Sequence, residues 1–382
     1  MITSPRVAPA HRRVLSVDFV LIGASLLVSV VGVVMVYTAT RGPLLAAGES
    51  PTTYLKRQAV WVVLGIVGMA VMALVDYRRL ESIGMLFYAF SVFLLLAVMV
   101  PGLGKATQGS QRWFKLGPLQ IQPSEIAVLA LILAVATYCS RRSEGLAWRD
   151  VIRLLVMSCI PIALVLVQPD LGTAIIMSVI LLVMLAVAGL PNRILVMLLV
   201  GAVLVVMAAL AAGVLHHYQI TRITSFLHQD TRHLSQAQSA AIYNLQQAKT
   251  AIGSGGLTGT GLFHGAQINL GYVPEQSTDF IFSAVGEQLG FIGATAVLAV
   301  LAIVCWRVLR AGQLSRDAFG RLLCAGIFTF MAFSTFQNAS MSMGLMPITG
   351  IPLPFISYGG TAVVAFFLGV GVALSVYARR GG

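Results

Sequence analysis

The chain has 382 residues, 58% of them hydrophobic and only 10% charged, with a net charge of +12 and a mean hydropathy of +0.90. A soluble domain carries about 25% charged residues, so a soluble enzyme, a disordered chain and a nucleic-acid binder are excluded despite the basic balance. What remains is an all-α integral membrane protein, whose 25 Lys and Arg against 13 acids should concentrate in loops on one side.

Residues 1–16, with Arg6, Arg12 and Arg13, read as a cytoplasmic tail. The apolar run from Val17 to about Tyr37 is too long for the core of a signal peptide and reads as a retained first span. Runs of the roughly 20 apolar residues needed to cross a bilayer then recur along 17–380. They predict ten transmembrane helices, at 17–38, 58–75, 82–100, 122–140, 151–168, 171–190, 193–213, 280–305, 320–345 and 355–378. Pro169 and Pro191 mark tight reversals on either side of span six.

With the N-terminus inside, the inner segments hold 16 basic residues, all arginine, and the outer ones hold 9. Three of those nine (Arg222, Arg232 and Lys249) lie in the long segment after span seven, where the positive-inside rule is weak, so short loops compare 16 to 6. Both termini are therefore expected in the cytoplasm and the segment 214–278 outside. Within it, Leu234, Ala237, Ala241, Leu245, Ala248 and Ile252 recur at helical spacing and predict an amphipathic helix at the membrane surface or over the mouth of the bundle. Gly253–Gly261, GSGGLTGTG, reads as a helix stop and flexible turn. With no preceding strand and no following GK[ST], it is not a phosphate loop. The four cysteines show no metal-ligand spacing and read as buried hydrophobes.

Acids at membrane depth are costly and usually functional. Most of the 13 sit beside cytoplasmic arginines or in loops; Glu125, Asp170, Glu275, Asp279 and Glu287 do not. Four of these five lie at or next to outer helix ends, and Glu287, eight residues past Asp279, falls about 12 Å deeper along a continuous span eight. Capping readings compete: Asp279 as the N-cap of span eight, Glu125 as a first-turn acid, Asp170 as a turn residue. The outer face also carries Arg112, Trp113 and Lys115 ahead of Pro123, and the charge-free loop GLMPITGIPLPFISYGG with three prolines, a rigid wall rather than a tether. The cytoplasmic face offers arginine-rich connectors and little else, so the chemistry is expected at the outer leaflet.

At these motifs the sequence resembles the SEDS (shape, elongation, division and sporulation) family, with wording nearer its rod-shape branch. The resemblance is carried by Arg57–Gln58, RWFKLGPLQIQPSE (Arg112–Glu125), QPDLGTA (Gln168–Ala174), AIGSGGLTGTGL (Ala251–Leu262), VPEQSTDFIFSAVGEQLGFIG (Val273–Gly293) and GLMPITGIPLPFISYGG (Gly344–Gly360). It implies a peptidoglycan glycosyltransferase of the bacterial plasma membrane that polymerises lipid II at the outer leaflet beside a class B penicillin-binding protein. It places the family's essential aspartate on Asp279, its span-four glutamate on Glu125 and its RQ arginine on Arg57. The family pattern has a lysine four residues past Ser124, where this chain has Val128, and Trp-Pro-Glu where it has Val273-Pro274-Glu275.

Elementary chemistry agrees. Joining a sugar hydroxyl to an anomeric carbon needs a base for the hydroxyl proton, and Asp279 suits that role, with Glu125 as a second catalytic carboxylate. A pyrophosphate leaving group needs positive charge aimed at it, from Arg57, Arg112 and Lys115. Asp170, Glu275 and Glu287 complete the expected substrate-binding set. A divalent cation, Mg or Mn, could bridge Asp279 and the pyrophosphate, and no nucleotide is needed. The competing readings are a flippase or transporter, which also uses intramembrane acids, and a non-catalytic scaffold of cell-wall synthesis.

Overall fold

The computed structural model describes residues 16–101, 104–107, 110–116, 119–142, 145–211, 226 and 236–380. The tail 1–15 and most of the segment 214–235, including Leu234 of the expected stripe, lie outside the described residues. The helices are α1 (Phe19–Ala46), α2 (Thr53–Leu74), α3 (Arg78–Met99), α4 (Pro123–Ser140), α5 (Trp148–Val167), α6 (Leu171–Val187), α7 (Asn192–Ala211), α8 (Gln236–Ser254), α9 (Ala266–Asn269), α10 (Ile281–Gln313), α11 (Ala318–Ser342) and α12 (Gly360–Ala378). Eight of them are long and apolar enough to cross a membrane. The apolar helices α6 and α7 occupy the places of expected spans six and seven and fall short of that measure within the described residues.

The all-α expectation needs one correction. Residues expected as a plain loop before span four form a small antiparallel sheet, β1 (Lys105–Thr107), β2 (Ser110–Leu116) and β3 (Leu119–Ile121), in the order β1-β2-β3. The sheet is fastened to the bundle where the Gln122 N–H donates to Thr361 Oγ1 at 3.0 Å.

Helices α4, α11 and α12 are the most buried and form the centre of the bundle; α2 and α3 are the least. α12 lies along α2, α3 along α4, and α11 packs against α10, α4 and α6, while α7 rests on α6. Large apolar side chains such as Val63, Leu86, Phe93 and Leu204 remain exposed. On a soluble protein that surface would be a liability; here it is the face a bilayer covers. At the centre, Phe330 and Phe366 stack at 4.5 Å, and Phe355 of the α11–α12 loop joins them, 5.7 Å from Phe366 and 5.1 Å from Phe367.

The charges separate toward two ends. At one end Asp18 caps α1 and pairs with Arg307 at 2.6 Å, Asp317 takes Arg78 at 3.2 Å and the Tyr77 hydroxyl at 2.5 Å, and Asp76 faces Arg379 at 3.6 Å. Ser16 reaches the Tyr377 carbonyl there, so the first and last described segments meet at this end. Glu81 with Arg141 and Asp150 with Arg142 add two more pairs. The residues read as inner by charge counting thus pair with one another.

Span eight is not one continuous helix. Gly290 adopts φ 66° and ψ −169° inside α10 and breaks it. Such a break frees backbone groups that an apolar environment cannot satisfy, and the glycine-rich connection after α8 supplies the partners. Thr260 N–H and Gly261 N–H donate to the carbonyls of Glu287 (2.9 Å) and Gln288 (3.1 Å), while Phe291 N–H and Ile292 N–H donate to those of Gly256 (2.9 Å) and Leu257 (3.1 Å). The backbones approach so closely that a Cβ on Gly259 or Gly290 would strike the opposite main chain. The expected flexible turn is therefore a splint.

In α8 the described residues of the expected stripe face inward: Leu245 and Ala248 are buried and Ile252 partly so, with Ile242 and Ala251 buried beside them, against α10 and α11. The helix covers protein.

Candidate active site

The end of the bundle opposite the Asp18–Arg307 pair gathers the expected site residues around the α11–α12 loop. Three consecutive carbonyls before α10 are held there. Tyr358 N–H donates to Ser277 O at 2.8 Å, Ser357 Oγ to Thr278 O at 2.7 Å, and Asn338 Nδ2 to Asp279 O at 2.8 Å. Asp279 itself is half-buried. It is not the N-cap of α10: that position is Phe280, with no side-chain capping bond.

Arg57, on the first turns of α2, is exposed, and its guanidinium lies near the Tyr358 hydroxyl. Burial raises the Tyr358 phenol above its ordinary value, and the guanidinium draws it back down. Tyr54 sits edge-on to the Tyr358 ring at 4.9 Å, and Gln58 Nε2 donates to the Ser357 carbonyl at 3.2 Å. The two residues before Asp279 and the Arg57–Gln58 turn of α2 thus both rest on residues 357–358.

Glu125 and Asp170 approach the same loop from the other side, since Gly172 lies against Thr349 and Ile351. Asp170 is fully engaged. It caps α6 by accepting Thr173 N–H at 3.1 Å, and its Oδ2 accepts from Thr173 Oγ1 (2.9 Å), Gln122 Nε2 (3.1 Å) and Ser124 Oγ (3.3 Å). That is a structural carboxylate, in line with the turn reading. Glu125, in the first turn of α4, is only 5% exposed and has no hydrogen-bond partner among the described residues. The other four buried acids, Asp18, Asp150, Asp170 and Glu287, all have partners. Val128, one turn on, is buried and apolar.

Arg112 on β2 donates through Nη2 to the Pro169 carbonyl at 2.5 Å and leaves Nε buried without a partner. It straps the sheet to the α5–α6 turn. Lys115 lies three positions on in β2, its backbone paired with Gln120. Glu275 is exposed at φ 52°, its carboxylate accepting from Thr278 Oγ1 at 3.0 Å and its carbonyl from Phe280 N–H at 3.1 Å. It shapes the turn that presents Asp279.

Glu287 departs from expectation. It is 1% exposed and accepts the N–H groups of Gln267 at 2.8 Å and Ile268 at 3.0 Å, which ties α9 to α10. Gln276 Nε2 continues the tie by donating to Ile268 O at 2.9 Å and Ala39 O at 2.6 Å. Its place deep in a continuous span eight is replaced by a helix broken at Gly290, where a loop reaches the carboxylate.

Asn338, Ser357 and Tyr358 were not anticipated. The run Ser334–Ser342, STFQNASMS, is unusually polar for a helix that crosses a membrane, and that pattern was the available signal.

A bundle of membrane-crossing helices with carboxylates, cations and a rigid loop at one end defines a multi-pass membrane protein whose chemistry lies at its surface. The chain belongs to the FtsW/RodA/SpoVE family of cell cycle proteins, whose profile matches residues 18–381. It is 34% identical over 374 residues to the probable peptidoglycan glycosyltransferase FtsW of Geobacter sp. (strain M18), covering 97% of this chain and 99% of that one. It is 35% identical over 330 residues to the peptidoglycan glycosyltransferase MrdB of Escherichia coli (strain K12), covering 85% and 86%. The two identities are too close to single out the rod-shape branch. Among solved structures, a chain of the one described as "Structural coordination of polymerization and crosslinking by a peptidoglycan synthase complex" matches with a TM-score of 0.80 and 28% identity, covering 96% of this chain and 99% of that one.

Proposed function

We infer that this chain is a peptidoglycan glycosyltransferase that polymerises lipid II. The observation that carries this is the full-length similarity to proteins named for that activity, with the carboxylate and arginine of the matching motifs meeting at one loop. Asp279 is the base that takes the acceptor hydroxyl proton as the new bond forms to the anomeric carbon. Arg57 presents positive charge to the departing pyrophosphate and Arg112 adds its remaining N–H groups, with Lys115 proposed as a further cation from its place in the motif. Glu125, an acceptor without a hydrogen-bond partner among the described residues, is placed to receive a substrate N–H or O–H. Asp170, Glu275 and Glu287 hold the walls.

Among the described residues no three His, Cys, Asp or Glu side chains converge on a metal-sized site. A single carboxylate suits a magnesium-type ion that shares its shell with substrate phosphates, and Asp279 is the residue that would hold it. Such an ion would neutralise charge on the leaving pyrophosphate.

The membrane topology follows the same reading: ten spans, with α6 and α7 as the two short ones, both termini cytoplasmic and the segment before α10 outside the bacterial plasma membrane. The arginine-rich end with Ser16 beside Tyr377 supports it. A crosslinking partner, a class B penicillin-binding protein, is proposed from the match to a polymerisation and crosslinking complex. Transport is disfavoured because Asp279 and Glu125 sit at helix ends, whereas transporter sites lie near the midplane.

Purified protein incubated with lipid II tests the assignment. Wild type should form glycan strands, and Asp279→Asn should lose at least the roughly hundredfold that general-base removal costs. Polymerisation by Asp279→Asn at the wild-type rate rejects Asp279 as the base.

A further inference from the structure

The segment that carries Asp279 is turned by Glu275, at φ 52°, whose carbonyl accepts the N–H groups of Thr278 and Phe280 at 3.1 Å each. It is fastened to the rest of the bundle through the three consecutive carbonyls of Ser277, Thr278 and Asp279. Two of the three donors are side chains, and both are out of contact with water: Asn338 is 0% and Ser357 is 1% exposed.

Each of these side chains binds twice. Asn338 Nδ2 donates to Asp279 O and also to Ile351 O, at 2.8 Å each. Ser357 Oγ donates to Thr278 O at 2.7 Å and accepts Leu353 N–H at 2.8 Å. Both therefore pin the Asp279 segment to one turn, residues 351–357, whose Phe355 is locked in the aromatic core. The next residue, Tyr358, holds Ser277 through its N–H, and the start of α2 that carries Arg57 is tied to the same turn where Gln58 Nε2 donates to the Ser357 carbonyl at 3.2 Å. One rigid turn thus sets the position of the carboxylate and of the cation together.

We propose that Asn338 and Ser357 are positioning residues for glycosyl transfer: they fix the Asp279 backbone against the 351–357 turn and so set the distance between base and leaving-group cation. This rests on the reading of Asp279 as the base. Neither side chain needs to touch substrate. A bound geometry displaced by about 1 Å costs on the order of a hundredfold in rate, whereas substrate affinity, spread over many contacts, is little altered.

The test is steady-state polymerisation of lipid II by full-length protein in detergent, with kcat and KM determined separately and melting temperature measured in parallel. Asn338→Ala and Ser357→Ala should lower kcat by at least about tenfold with KM within about threefold of wild type. Ser357→Thr, which keeps the hydroxyl, should recover most of the loss. The inference is overturned if the alanine variants keep kcat within twofold, if KM and kcat change together, or if Ser357→Thr is no better than Ser357→Ala. Should Asn338→Ala fail to fold, the Ser357 pair decides alone. Asp279→Asn in the same assay separates the two readings. An active Asp279→Asn removes the base itself; an inactive Asp279→Asn beside fully active Asn338→Ala and Ser357→Ala removes only the clamp.

Discussion

Asp18 and Arg307 meet at 2.6 Å across 289 positions of sequence, with the carboxylate side chain 1% exposed. The contact ties the start of α1 to the far half of α10 and closes the basic end of the bundle. Removing one member of a buried pair leaves the other charge uncompensated, at a cost of about 3–5 kcal/mol. Arg307→Met should lower the melting temperature in detergent sharply, and adding Asp18→Asn should restore much of it. A melting temperature unchanged by Arg307→Met would show the pair to be solvated.

The break in α10 gives a contrast between two glycines. Gly290→Ala puts a Cβ at φ 66° and into the main chain of Leu257 and Gly259, so it should cost at least about 2 kcal/mol. Gly253→Ala meets nothing within 4 Å and should be neutral or slightly stabilising. Size-exclusion profiles and melting curves of the two variants check this.

Glu125 and Asp170 should separate stability from activity. Asp170→Ala removes a helix cap and strands Gln122 and Ser124, so it should lower stability by about 2 kcal/mol or more. Glu125→Gln removes a carboxylate with no hydrogen-bond partner among the described residues. It should leave the melting temperature unchanged or raised while reducing polymerisation at least about tenfold. Equal loss of stability in both variants would argue against a substrate-facing Glu125.

Because Phe280 and not Asp279 occupies the N-cap of α10, Asp279→Ala should be as stable as Asp279→Asn. Parallel melting curves decide this. A specific deficit of about 1 kcal/mol in the alanine variant would restore a capping role.

Tyr77 supplies a pH signature. Burial, then its hydrogen bond to Asp317, pushes the phenol up to about 12 from an ordinary 10. The folded state therefore holds this proton more tightly than the unfolded state. Its stabilising contribution is complete below pH 10 and is lost as pH rises from 10 through 12. Tyr77→Phe should flatten the fall in melting temperature over that window, and an unchanged slope would contradict it.

Most of the bundle was legible because bilayer spans need long apolar runs, which stand out in any composition of this kind. The residues read as inner from arginine placement include Arg78, Arg307 and Arg379, which pair with Asp317, Asp18 and Asp76. The sheet around Trp113 was missed because short strands beside Gly117–Pro118 carry little periodic signal. The break at Gly290 was missed because a glycine inside an apolar helix is tolerated, and only the distant GSGGLTGTG backbone gives it a reason to bend. Glu287 was misread for that same cause. At the site, Asp279 and Glu125 were visible as acids out of place, whereas Asn338 and Ser357 act through backbone carbonyls that no residue pattern displays.

The splint across α10 carries a consequence for how this region opens. The amides of Thr260, Gly261, Phe291 and Ile292 are bonded between loop and helix rather than along the helix, so none can be released to solvent by fraying from an end. Their protons should exchange with heavy water as one group, at a single rate, only when the whole loop lifts away. That event would also free the stub of helix between Ile281 and Leu289 that follows Asp279. Slow, concerted exchange at these four positions would therefore clock the opening of the segment that follows Asp279.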